Sequence, residues 1–178
     1  CNRDTVFVGT IGPLIWVDAK NYTTGRVYLP DWGLNKDAIS SLFKDSRNNI
    51  YAANGDFKGF YYRAGDKKDF IFSNHPERFF NIFSPSSITE DLAGNIWFAG
   101  IGLSRYNYQK GQFDFLLDSF PTIRIPLKHT TGAQVDKDGN IYFGLFENGL
   151  LIYDPATKKY RQLTRDNGLP DNTITALT

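Results

Sequence analysis

Methionine is absent from this 178-residue chain, and cysteine occurs once, as Cys1. A single cysteine forms no internal disulfide, so no disulfide framework carries the fold. Lys and Arg together number 20 against 19 Asp and Glu, a net charge of +1. That balance lacks the basic excess that drives nucleic-acid binding. No apolar run reaches the ~18 residues of a membrane span. Only two histidines are present, His75 and His129. There is no G-x-S-x-G, no H-E-x-x-H and no Cys–His pairing beyond the terminal cysteine. Catalysis needs a nucleophile with a base, or an acid with a raised pKa. His129 with Glu147 is the most that could be proposed, so no catalytic residue is assigned. A sustained 3.6-residue period is missing too; "DAISSLFKD" comes nearest.

What is present is aromatic and glycine-rich: 16% Phe, Trp and Tyr, with 16 Gly. Such a composition suits short strands and tight turns. The chain also repeats. Asn49, Asn95 and Asn140 stand 46 and 45 residues apart, and Thr5 holds the same place one unit earlier. The column before the asparagine reads Asp4, Asn48, Gly94, Gly139, types that tolerate positive φ in a hairpin turn. The next columns read Val6, Ile50, Ile96, Ile141, then Phe7, Tyr51, Trp97, Tyr142. A small residue follows two places on: Gly9, Ala53, Ala99, Gly144. A turn, a β-branched residue, an aromatic and a small residue make a strand pattern. By alignment with "NTITALT", "DAISSLFKD" is a strand as well.

"VDKDGNIYFG" also resembles the start of a calcium loop, with Asp136, Asp138 and Asn140 in alternation. An EF-hand loop beginning at Asp136 needs Gly at its sixth position. Ile141 stands there instead, although Glu147 falls at the twelfth. In the other copies Asn2 and Asp4, Arg47 and Asn49, and Ala93 and Asn95 fill comparable places. The turn requirement explains every copy, so no metal and no cofactor is expected.

Each unit reads as four strands, the last as "TGAQVD", "NIYFGL", "GLLIYDP" and "KYRQLT". Four antiparallel strands in about 45 residues is the period of a β-propeller blade. The units run approximately over 1–37, 38–85, 86–130 and 131–171. Residues 172–178 are expected to be the inner strand of a further or closing blade. The expected fold is all-β, a β-propeller of about four four-stranded blades. A piece of a seven- or eight-bladed ring is favoured. A four-bladed ring, or a ring shared by two chains, stays open, because closure removes exposed sheet edges.

"GLLIYDPATKKYRQLTRDNGLPDNTITALT" resembles the two-component regulator propeller repeat. The resemblance rests on Gly149, Leu150, Tyr153, Asp154 and Pro155, then on Gly168, Leu169, Pro170, Asp171, Asn172 and Ile174. Asp91, Gly94, Asn95, Ile96 and Trp97 add the remaining word. It is tight in the third and fourth units. At the first junction Asn35 stands where Pro170 would, and the next two junctions lack the GLP word. The resemblance implies the periplasmic sensory region of a hybrid histidine kinase. Its ligand would be an oligosaccharide, and its partners further blades or a second copy, within a sensor homodimer. The segment itself would not insert into a membrane. A lipid anchor at Cys1 is a lesser alternative to a position inside a longer chain.

Irregular loops on a rigid scaffold concentrate binding residues. Trp32 could stack on a sugar face, although packing over a blade junction is its commoner fate. Arg78, Arg124 and Lys128 could hold a carboxylated or sulfated sugar by charge-assisted hydrogen bonds, or be solvated surface charges. His129, just before an inner strand, is a contact candidate or a loop-packing residue. A non-catalytic, oligosaccharide-sensing propeller segment is thus expected. A protein-interaction scaffold is the alternative, with a propeller lyase or hydrolase behind it.

Overall fold

The computed structural model describes residues 4–27, 29, 39–54, 59–67, 69–74, 83–115 and 130–178. The chain divides into two compact units, Cys1–Pro85 and Ser86–Thr178. Every sheet in them is antiparallel.

In the first unit, β1 (Thr5–Val8), β2 (Ile15–Asp18) and β3 (Thr24–Arg26) form a sheet in that order. A second sheet follows as β4 (Ile39–Lys44), β5 (Ile50–Asn54), β6 (Gly59–Arg63) and β7 (Ile71–Asn74). "DAISSLFKD" therefore holds a strand, as its alignment requires. Leu14, Leu29, Ile39, Ile50, Ala52, Tyr61 and Phe70 pack into one core. Arg63 is 5% exposed, with its guanidinium 5.0 Å from the Phe7 ring centre and 5.9 Å from that of Phe70. Burial lowers its pKa, yet the ring faces attract the cation and Nη1 donates to the Lys67 carbonyl at 3.1 Å.

Strand β8 (Phe83–Glu90) leads into the second unit, where β9 (Ile96–Asn107) and β10 (Gln112–Phe115) join it in the order β10-β9-β8. Within β9 the chain reverses at "AGIG" as expected, since the Arg105 guanidinium lies 5.6 Å from the Trp97 ring centre and Phe113 contacts both Phe98 and Tyr106. The last sheet has the four strands β11 (Thr130–Val135), β12 (Ile141–Leu145), β13 (Gly149–Asp154) and β14 (Lys159–Leu163). Trp97, Ala133, Ile141, Phe143, Leu145, Leu151 and Tyr153 form its core.

The tight turns share one carboxylate device. Asp45, Asp91 and Asp136 each begin a turn whose fourth residue, Asn48, Gly94 or Gly139, has φ of 66°, 80° or 88°. In each turn Oδ1 accepts two backbone amides, those of residues two and four further on. For Asp91 these are Ala93 N at 3.0 Å and Asn95 N at 2.9 Å. Oδ2 accepts the asparagine side chain and the aromatic of the following strand. The pairs are Asn49 with Tyr51, Asn95 with Trp97, and Asn140 with Tyr142. The Trp97 indole N–H reaches Asp91 at 2.8 Å and the Tyr142 hydroxyl reaches Asp136 at 3.0 Å. The leading acid is thus kept in three copies, a column that comparison of the Asp138 position overlooks. Its oxygens are filled by N–H and O–H donors, which leaves them unsuited to a cation.

A second device sits on the inner strands. The β4 and β11 ladders shift register around Ser40 and Thr131, an extra residue that leaves the ladder. The Ser40 hydroxyl lies 3.2 Å from Ala53 O and 2.8 Å from Pro85 O. In the second unit Ser86 likewise reaches Ala99 O and Thr130 O. The Thr131 hydroxyl is buried without a partner among the described residues. Next to it, a Cβ on Gly144 would stand 2.7 Å from Ile174. Residues 172–178, the expected inner strand of a further or closing blade, form no strand ladder with the described residues. Hydrogen bonds tie them to the last sheet instead, from Ile174 N to Leu145 O (3.2 Å) and from Gly149 N to Asn172 O (2.6 Å). No strand of the described residues pairs with their other edge.

Removing Asp91 leaves a buried indole N–H, an amide side chain and two backbone amides without their acceptor. Asp91→Ala should lower stability by about 3 kcal/mol in urea unfolding. Hydrogen bonds hold the Asp136 carboxyl below its ordinary value of 3.8, that of the Asn140 side chain foremost. Its stabilisation is therefore full above pH 3.8 and lost as pH falls through the lower folded value. Asn140→Ala should move the Asp136 carboxyl pKa upward, read by NMR titration.

Candidate functional site

The clipped turns occupy one end of three of the four sheets. The opposite end carries the connections from second to third strands and the longer links between repeats, where the structure turns irregular. Two such connections are fully described.

Between β1 and β2, the Thr10 hydroxyl donates to Pro13 O and accepts from Gly12 N, each at 2.9 Å. This small hydrogen-bonded loop holds Ile11 at its tip, 92% exposed. Leu14 at its base is fully buried. The exposed tip and buried base follow from a chain reversal whose polar atoms are satisfied locally.

Between β12 and β13 the connection is three residues long, Phe146, Glu147 and Asn148. Glu147 and Gly149 adopt φ of 60° and 76° to close it. The Asn148 side chain donates to Phe146 O at 3.0 Å, and the Gln162 side chain donates to Asn148 O at 2.6 Å. Phe146 is 44% exposed at the tip, although Phe143, Gly144 and Leu145 before it are buried.

The link that follows β14 packs alongside. A single 3-10 turn, Arg165–Asn167, opens it. Asn172 accepts from Arg165 N at 2.7 Å through Oδ1, and its carbonyl accepts from Gly149 N. The Asn167 side chain donates to Gln162 O at 3.0 Å. Asn148, Gln162, Asn167 and Asn172 therefore knit the connection and the link into one platform. Its charged residues are Glu147, Arg165, Asp166 and Asp171, all exposed.

Trp32, Arg78, Arg124, Lys128 and His129 lie outside the described residues, as does His75. Of the His129–Glu147 pair, only Glu147 is placed. Among the described residues no group of three or more His, Cys, Asp or Glu could hold a metal ion. Sequence reading overlooked Ile11 and Phe146. The signal was available, since the two stand 135 residues apart, three repeat lengths, in equivalent positions of the pattern.

Repeated antiparallel sheets of three or four strands, with tight turns at one end and irregular links at the other, are the parts of a ring of blades. The fold is that of a β-propeller. Solved structures agree. The extracellular domain of BT4673 from Bacteroides thetaiotaomicron, a candidate hybrid two-component system, superposes with a TM-score of 0.73 at 20% identity. The match covers 98% of this chain and 23% of that one. A second such domain, that of BT3049 from the same organism, gives 0.69 at 15% identity, over 98% of this chain and 22% of that one. Virginiamycin B lyase from Staphylococcus aureus gives 0.68 at 12% identity, over 91% of this chain and 52% of that one. This propeller segment thus spans about a quarter of the sensor domains it matches. No family model and no curated protein matches the chain.

The platform depends on Gly149, where a Cβ would collide with the Leu163 carbonyl. At Gly168, with φ of 136°, nothing lies within 4 Å. Gly149→Ala should therefore lower Tm well beyond Gly168→Ala in parallel thermal melts, since only the former adds a clash to the strain of positive φ.

Proposed function

We propose that this propeller segment belongs to the extracytoplasmic sensor region of a two-component-type signalling protein and binds an oligosaccharide without chemical change. One observation carries the reading. Nearly the whole chain superposes on extracellular domains of candidate hybrid two-component systems. The anchored loop platform supports it, because preorganised loops lose less entropy on binding.

In this reading further blades complete the ring, and the sensor works as a homodimer in the periplasm. A glycan fragment settles on the loop end of the blades. Trp32 supplies a stacking face, Arg78, Arg124 and Lys128 meet acidic groups, and His129 adds a further ligand contact. Signalling follows only if the sugar has different affinities for two arrangements of the sensor.

The likeness to a lyase motivates a second reading, a propeller that cleaves its ligand. Calorimetric titration of the chain against neutral, uronic and sulfated oligosaccharides, with mass spectrometry of the mixtures, separates the two. Saturable binding with intact ligand is the expected result. Shortened or unsaturated products would establish the enzyme instead. Absence of binding across the whole panel would overturn the sugar-sensing assignment and favour a protein-binding scaffold.

A further inference from the structure

Phe146 stands at the exposed tip of an otherwise buried run. Three consecutive buried residues precede it, Gly149 soon after is buried, and yet Phe146 itself is 44% exposed. A single exposed apolar side chain is ordinary. Here, however, the backbone that presents the ring is held by side-chain hydrogen bonds from Asn148 and Gln162. The equivalent tip of the first unit is built by other means, through the Thr10 hydroxyl, and it too presents a large apolar side chain, Ile11. Two unrelated hydrogen-bond arrangements thus hold an apolar group in the same exposed place.

The surroundings select a ligand chemistry. Glu147 adjoins the ring in sequence, and the neighbouring link adds Asp166 and Asp171 against Arg165. Among the described residues at this end of the sheet, three carboxylates against one guanidinium disfavour an anion. A carboxylate accepts hydrogen bonds from hydroxyls, and an aromatic face attracts the weakly positive C–H groups of a saturated ring. One molecule offers an apolar C–H face and a rim of hydroxyls together, an uncharged sugar.

We propose that the β12–β13 tip is a subsite for a neutral pyranose, with Phe146 stacking on the ring and Glu147 accepting its hydroxyls. This rests on the oligosaccharide reading and deepens it. It assigns this blade a preference opposite to that expected of Arg78, Arg124 and Lys128.

The test is titration of the 178-residue chain with matched neutral and sulfated oligosaccharides, repeated with Phe146→Ala, Phe146→Trp and Glu147→Lys. Neutral sugar should bind the wild type more tightly than its sulfated counterpart. Phe146→Ala should weaken neutral binding about tenfold, with Tm little changed because the ring is exposed. Phe146→Trp should retain affinity, and Glu147→Lys should shift preference toward the sulfated ligand. If Phe146→Ala unfolds, Glu147→Lys carries the decision. Neutral binding unaffected by either change at these positions overturns the subsite and leaves the sugar sensor standing. Wild-type preference for sulfated sugar does the same. Failure of the wild type to bind either class overturns both.

Discussion

A carboxylate that accepts four hydrogen bonds at the base of a hairpin is the constraint on which this structure depends. Asp45, Asp91 and Asp136 each fasten two backbone amides, an asparagine side chain and the O–H or N–H of an aromatic side chain. The aromatic matters most. By tying Tyr51, Trp97 or Tyr142 to the turn, the clip sets which residues of the next strand face which side. A slip of one residue would turn every side chain to the opposite face. The clip therefore settles the register of the second strand, and the cores around Ile50 and Ile141 follow from it.

The inner-strand hydroxyls add a second level. Ser40 and Ser86 each lie between a carbonyl of their own sheet and one on the inner strand of the following repeat. The close approach of Ile39 to Gly9, and of Ile174 to Gly144, belongs to the same pattern. Order within a sheet comes from the clip, and order from one repeat to the next comes from these small contacts. Stability then grows by neighbours, as in other repeat architectures.

Much of this was legible in the sequence because the signals are local. Positive φ at Asn48, Gly94 and Gly139 follows from residue type, and the strands follow from the β-branched and aromatic columns. The clip was not legible when the compared acid was Asp138, whose place is taken by Arg47 and Ala93 elsewhere. The leading aspartate was the informative column. The reversal expected at "AGIG" inside β9 is there as well, because Arg105 returns to lie over the Trp97 ring. Residues 172–178 carry a strand-like sequence but form no ladder, since a ladder requires a paired partner as well as a pattern. The site was read least well. Trp32, Arg78, Arg124, Lys128 and His129 were chosen from irregular loops, and they lie outside the described residues. Phe146 was passed over because nothing in local propensity separates an exposed tip from the buried strand before it.

The two ends of a clipped sheet obey different rules. At one end the hydrogen-bonding capacity of the clip aspartate is spent on the fold, and a changed residue there is felt by the strand beyond. At the other end the anchors engage backbone atoms, so the identity of the tip residue is released from the fold: Ile11 and Phe146 occupy one position with different shapes and chemistry. A lineage of such repeats can therefore rewrite its tips one at a time while the architecture beneath stays still. Specificity becomes a variable that drifts independently of folding, and a single blade becomes a unit that can be exchanged for another with a different taste.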